Sequence, residues 1–286
     1  MYDIKQGFKL KKLYIEEYKV LKDFEIDFCD DKDIPLPLIV LAGVNGSGKT
    51  SILECIADSF SSGQIVGIIN GNEQEDIITS LSSNYNSTNS ILYGKVARGI
   101  LGVPYDEYEI VYIPFDLNDF TFIEKTIVEY IDKLLFEEDI KASEVYKQFS
   151  DFMGHLLKEV KLNIRFLKLD RQRKVYFQKN GSEFLLDDLS SGEKSLLARV
   201  VYLYIKDIKN KVILIDEPEL SLHPTWQDKI LKLYENYAIQ NNCQIIIATH
   251  SPLVLGSAKN SSIRILYFEA NKVKVLKDVF AYGRYL

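Results

Sequence analysis

The stretch "GVNGSGKT" at residues 43–50 can hold a phosphate. It fits G-x-x-x-x-G-K-[S/T], the pattern of a phosphate-cradling loop. Gly43, Gly46 and Gly48 let the backbone bend tightly and aim its N–H groups inward. A following helix adds the partial positive charge of its N-terminus. Asn45, Gly46, Ser47, Gly48, Lys49, Thr50 and Ser51 are thus the expected residues of a nucleotide-phosphate cradle. Lys49 would reach the β- and γ-phosphates, and Thr50 would offer a hydroxyl to Mg²⁺. An incidental lysine in a glycine-rich turn is the plainer reading, but the flanking strand and helix patterns favour the cradle.

The apolar run "KVILIDE" (211–217) ends in two carboxylates, Asp216 and Glu217. A carboxylate at a strand tip beside a phosphate loop can hold Mg²⁺, through water. The next can orient and deprotonate an attacking water. Asp216 is therefore an expected metal ligand with Thr50, and Glu217 an expected catalytic base. Two acids in succession point to hydrolysis, because one has a water to activate. His250 ends a further apolar run, "CQIIIATH" (243–250). Ligands collect beyond the carboxyl ends of parallel strands. That position gives His250 a hydrogen bond to the γ-phosphate or the attacking water. His155 and His223 read as structural.

"LSSGEKS" (189–195) opens a helix. Ser190 or Ser191 would cap it, with Glu193 or Lys194 in its first turn. A capped N-terminus with small residues is itself an anion site.

These groups need a scaffold of buried strands and helices. "LIVLAG" (38–43), "YEIVYIPF" (108–115), "KVILIDE" and "CQIIIATH" read as strands buried on both faces. Helices follow the phosphate loop, "LSSGE" and Thr225. The expected fold is α/β, with a mostly parallel sheet flanked by helices. "KLKKLYIEEYKVLKDFEIDF" (9–28) adds an antiparallel extension of two short strands. "SIRILYF" and "KVKVL" are two more strands at the end, and Asn180-Gly181 turns a hairpin. Ile123, Ile127 and Ile131 keep helical spacing and mark a small helical lobe. Residues 70–90, rich in Asn and Ser, read as a surface loop. The expected division is 1–118 for the first part of the core, 119–160 for the lobe and 161–286 for the rest.

The 286 residues carry 47% hydrophobic and 27% charged residues, an ordinary balance for a soluble domain. No apolar run is long enough to cross a bilayer, so no membrane partner is expected and a cytoplasmic location is. Cys29, Cys55 and Cys243 match no metal or redox spacing. A net charge of −6 argues against a surface given over to nucleic acid. A local basic patch remains between 161 and 180: Lys161, Arg165, Lys168, Arg171, Arg173, Lys174 and Lys179. It reads equally as a phosphate-contacting hairpin or a solvated face.

The order of these motifs resembles the P-loop ATPase domain of ABC-type proteins. "LSSGE" stands where their signature lies, "LIDEPELSLHP" resembles the Walker B and D-loop segment, and "ATH" the switch histidine. The likeness is closest to the RecF/SMC/OLD-like branch and covers residues 9 to 256. It implies that the cradle of Asn45 to Ser51 is an ATP site, with two ATP molecules sandwiched in a head-to-tail homodimer. Ser190, Ser191, Gly192 and Glu193 of one copy would then meet the ATP of the other in trans. Tyr18-Lys19 departs from the Phe-Arg often found in this branch. Ser191 replaces a common glycine. No Q-loop glutamine follows "EIVYIPF"; Asp116 or Asn118 stands near that place, and Gln64 is too early. The ending "YGRYL" resembles the point where larger relatives continue, which implies a compact or truncated member.

Compact ATPases of this kind occur in bacterial anti-phage defence and retron-like systems. The resemblance thus implies a nucleotide-driven dimer serving a nuclease or toxin partner, with DNA or RNA contact left open. An ATP-dependent assembly scaffold with slow turnover is the alternative. A transporter motor is disfavoured by the D-loop and the missing Q-loop.

Overall fold

Near-continuous apolar runs rich in Ile, Val and Leu become the central strands, because a sheet covered on both faces buries successive side chains alike. The computed structural model describes residues 9–61, 93–95, 109–113, 121–136, 140–160, 162–205 and 208–277. The hairpin β1 (Lys12–Tyr18) and β2 (Leu21–Asp27) opens the chain, and β3 (Leu38–Gly43) leads into α1 (Lys49–Ser61). Then come β4 (Tyr93–Lys95), β5 (Glu109–Ile113), α2 (Thr121–Phe136) and α3 (Ala142–Glu159). β6 (Arg165–Leu169), β7 (Val175–Lys179) and β8 (Ser182–Leu185) precede α4 (Ser191–Ile205). The chain goes on through β9 (Val212–Asp216), α5 (Pro224–Gln240), β10 (Gln244–Ala248), α6 (Pro252–Ser257), β11 (Ile263–Glu269) and β12 (Lys272–Leu276).

The main sheet has the order β12-β11-β3-β10-β9-β5-β4. The five strands from β11 to β5 are parallel, and the edge strands β12 and β4 are antiparallel to their neighbours. The mostly parallel α/β sheet is therefore as expected, and so is the N-terminal hairpin, which pairs Lys12 with Asp27. Its inward residues Leu13, Ile15, Phe24 and Ile26 join a core with Ile39, Leu41, Ile52, Leu53, Leu214 and Ile246. Buried polar side chains stitch the unit where no ladder can. Gln244 acts as a substitute peptide: its amide accepts from Leu10 N at 2.7 Å and donates to Leu10 O at 3.0 Å. The Arg264 guanidinium donates to the carbonyls of Asp27, Ser261, Ile263 and Cys29, fastening the hairpin's exit to β11.

The chain divides into two compact units, one of Met1–Asp116, Lys209–Glu219 and Tyr234–Leu286, the other of Leu117–Ile208 and Leu220–Leu233. This differs from the segments expected at 118 and 160. The three strands after 160 belong with the helices before it, for an aromatic reason. Phe166 on β6 meets Phe149 on α3 edge-on at 4.9 Å, and Tyr146 at 5.4 Å. Phe149 and Phe166 are almost wholly buried, and such edge-to-face pairs add to the area they bury. The hairpin of β7 and β8 turns at Asn180 (φ 52°) and Gly181 (φ 84°), as Asn-Gly demands. The Asn- and Ser-rich segment, Gln64, Asp116, Asn118 and Lys161 lie outside the described residues.

Candidate functional site

Three neighbouring parallel strands, β3, β10 and β9, end together and deliver the first group of site residues. β3 runs into the phosphate loop. Gly43 has φ 147°, and a Cβ there would sit 2.4 Å from the Leu266 carbonyl oxygen. Gly46, at φ 80°, has open space around it, so its glycine serves the backbone conformation alone. Asn45 and Gly46 are exposed, Ser47, Gly48 and Lys49 are buried, and Thr50 and Ser51 are half-buried in the first turn of α1. That turn leaves backbone N–H groups without intrahelical partners.

The Lys49 ammonium donates to the carbonyls of Gly43 at 2.8 Å and Val44 at 3.1 Å. Burial lowers its pKa; the charges of Glu217, Asp216 and Glu219 work against that. The Ser47 hydroxyl is buried with no partner. Asp216 is 1% exposed, and neither carboxylate oxygen has a well-formed hydrogen bond. Burial pushes it up to about 6; Thr50 beside it pulls the other way, while Glu217, Glu54 and Glu219 add to the rise. The Asp216 carboxylate and the Thr50 hydroxyl beside it are oxygen donors of the kind Mg²⁺ takes. Among the described residues no cluster of three His, Cys, Asp or Glu is placed to hold a metal. A cation here would complete its shell with phosphate oxygens and water.

Glu217 follows the last residue of β9 with φ 44°, a strained value for a glutamate. Its N–H still pairs with Ala248 O at 2.8 Å. Its Oε1 stands 3.1 Å from His250 Nδ1, so the expected base and the expected histidine are in contact. Sequence reasoning missed Glu219. It is 6% exposed, and its Oε1 accepts from the Thr249 hydroxyl at 2.5 Å. The available signal was a third carboxylate in "DEPEL", two residues past the pair. Lys19, at the β1–β2 turn, pairs with Glu54 of α1.

The residues expected to form a signature, Ser190 to Glu193, lie in the other unit. Ser190 is the cap of α4: its N–H and hydroxyl donate to Glu193 Oε2 at 3.0 and 2.8 Å, and Glu193 N returns a bond at 3.4 Å. This is a capping box, as the spacing predicts. Lys179 also pairs with Glu193, at 2.5 Å. Burial raises the Glu193 pKa, but Lys179 and Ser190 outweigh it and the net shift is downward. Ser191 is exposed. Gly192 has a packing reason: a Cβ would lie 2.6 Å from the Ser221 carbonyl oxygen. His223 stands at the start of α5, with Nδ1 accepting from Thr225 N at 3.3 Å. His155 is exposed on α3.

The basic stretch is largely neutralised. Lys168 pairs with Glu183, Arg173 with Asp132, Lys174 with Glu124 and Lys179 with Glu193. That favours the solvated face over the phosphate-contacting reading. No helix among the described residues is long and apolar enough to cross a membrane.

The fold and this loop define a P-loop ATPase of ABC type. Comparison with known families agrees. Residues 8–150 match the AAA ATPase domain model, and residues 104–256 match "AAA domain, putative AbiEii toxin, Type IV TA system". The chain belongs to this AAA ATPase family, and the ABC-type resemblance of the RecF/SMC/OLD-like branch holds. It is 39% identical to the retron Vc95 probable ATPase of Vibrio cholerae, over 31% of this chain and 19% of that protein. It is 26% identical to the Septu protein PtuA of Bacillus mycoides, over 92% of this chain and 41% of that one. The chain thus spans less than half the length of these two relatives. An SMC head bound to the C-terminal winged helix of ScpA shares the fold, with TM-score 0.57 and 15% identity over 94% of this chain and 97% of that one.

Proposed function

We propose that the chain binds ATP with Mg²⁺ and hydrolyses it in a composite site between two copies. The observation that carries this is the buried Asp216 beside the phosphate loop, whose oxygens lack a well-formed hydrogen bond, with Glu217 and His250 in contact at the neighbouring strand tips. Lys49 exchanges the loop carbonyls for the β- and γ-phosphates. Thr50 and Asp216 would hold Mg²⁺, which would neutralise phosphate charge. Glu217 accepts a proton from the attacking water, and His250 hydrogen-bonds the water or the γ-phosphate. The capped start of α4 covers the ATP of a second copy. Because the Ser190 hydroxyl is engaged with Glu193, the contact falls to the Ser191 hydroxyl and the free N–H groups of that turn.

Mixed dimers test this. Lys49→Ala and Ser191→Arg should each be inactive alone. Ser191 is chosen because changing Ser190 would also break the cap. Mixing the two variants creates one composite site with both halves intact, so hydrolysis should partly return. A mixture as inactive as its components, with Ser191→Arg still binding ATP, would refute the shared site.

The matched family model, with its AbiEii-toxin description, and the relatives' names, a retron ATPase and a Septu protein, support a role in an anti-phage complex with a nuclease or toxin partner. A scaffold that turns over slowly is separated by measuring hydrolysis with and without that partner. The paired cations of the basic stretch leave direct DNA or RNA contact with less support.

A further inference from the structure

We infer that Glu219 is a positioning residue for His250: its buried carboxylate fixes the turn after β10, so that the imidazole stands against Glu217. This rests on the hydrolytic reading above. The β9–β10 ladder ends with Ala248 opposite Asp216. His250 lies beyond it, so the sheet does not hold its main chain. Glu219 does. Its Oε1 accepts from Thr249 Oγ1 at 2.5 Å, His250 N at 3.3 Å and Ser251 N at 3.3 Å. Ser251 N also donates to Thr249 Oγ1 at 3.0 Å, and Thr249 N donates to Leu41 O at 3.0 Å. One carboxylate therefore ties the loop after β9 to the turn after β10, and Thr249 ties that turn to the end of β3, which becomes the phosphate loop.

Packing alone does not explain a carboxylate here. Glu219 is 6% exposed, and its second oxygen is buried without a partner. An apolar side chain would fill the space without that desolvation. The 2.5 Å bond to Thr249 has the length of a charge-assisted O–H···O⁻ contact, the strong kind. What the arrangement secures is the 3.1 Å approach of His250 Nδ1 to Glu217.

The test compares Glu219→Ala, Glu219→Gln and Thr249→Val with the wild-type chain. Glu219→Ala should lower kcat roughly 10- to 100-fold, the scale of a misplaced catalytic group, with KM for ATP unchanged. Glu219→Gln keeps an oxygen that can accept from all three donors and should recover most of the rate. Thr249→Val should fall between them. The chain has three histidines, so their ring NMR signals can be assigned singly. Glu219→Ala should move those of His250 and leave His155 and His223 in place. Wild-type kcat with unmoved His250 signals would overturn the inference. If Glu219→Ala does not fold, Thr249→Val decides by the same two readouts. If the wild type hydrolyses no ATP, the hydrolytic reading fails separately, and the His250 signals still support or overturn the role of Glu219.

Discussion

Asp216 and Glu193 are both buried carboxylates, and the molecule treats them in opposite ways. Asp216, at the tip of β9, has two oxygens without a well-formed bond, and burial lifts its pKa to about 6. Glu193, in the first turn of α4, has both oxygens engaged, by Lys179 and Ser190, and its pKa falls. Around Asp216 the backbone is strained at Glu217, and Ser47 holds another orphaned oxygen. Around Glu193 the helix start is capped and Gly192 is closely packed. Unpaired buried polar groups are rare because each costs free energy. The unsatisfied oxygens of the first region are what the proposed Mg²⁺ and nucleotide would complete. The second has its carboxylate satisfied within the chain; under the proposal, only Ser191 and the N–H groups of the turn are left to meet a phosphate.

The largest test of this contrast is Glu217→Gln. It removes a proton acceptor and leaves the cradle intact. Hydrolysis should fall roughly 100- to 10,000-fold, the span of general-base contributions. ATP binding, followed by a fluorescent analogue, should persist, and the closed dimer should accumulate in light scattering. Equal hydrolysis by variant and wild type would remove Glu217 from the role of base.

The first region was the more legible in sequence. Its glycines, lysine and strand-end acids sit in contiguous stretches whose conformation is set locally. Gly46 at φ 80° and the apolar run Leu38–Val40 need no distant partner to be recognised. Ser190 and Glu193 were legible for the same reason, since a capping box spans one turn. Glu219 was not. Its role exists only because β9 and β10 are neighbours, which brings it to Thr249 across the sheet. The basic stretch stayed open between two readings for the same reason, since Glu124 and Asp132, which pair with Lys174 and Arg173, come from α2. The grouping of β6 with α3 depended on aromatic contacts that spacing does not announce.

A smaller effect, of inverted sign, is expected at Asp216. Its pKa in the folded chain, about 6, lies above its ordinary 3.8. Folding therefore favours the protonated acid. The penalty on the charged form is absent below pH 3.8, grows between there and about 6, and is full above. In a chelator and without nucleotide, Asp216→Asn should raise the melting temperature at pH 7.5. The ceiling is roughly 3 kcal/mol at 1.36 kcal/mol for each pKa unit. The gain should shrink as pH falls toward 4. With Mg²⁺ and ATP the order should reverse, because only the wild type is stabilised by the metal-bound nucleotide. If Asp216→Asn is destabilising in chelator at pH 7.5, the carboxylate has a partner in the protein and its region is not incomplete.

The smallest effect belongs to the second region. Glu193→Ala removes the reciprocal half of the capping box and the partner of Lys179. It should cost about 1 kcal/mol of stability, the usual worth of a cap. The pH dependence runs opposite to that of Asp216. The folded pKa of Glu193 lies below its ordinary 4.5, so its contribution is full above that value and is lost as pH falls through the folded one. Wild type and Glu193→Ala should therefore differ at pH 7 and converge in strong acid, in denaturant melts read at each pH. Because Ser190 keeps its place before the helix, ATP binding by a single copy should not change. A loss of monomer ATP binding in Glu193→Ala would mean that the turn helps build the site around Lys49 and is not a separate surface awaiting another copy's nucleotide.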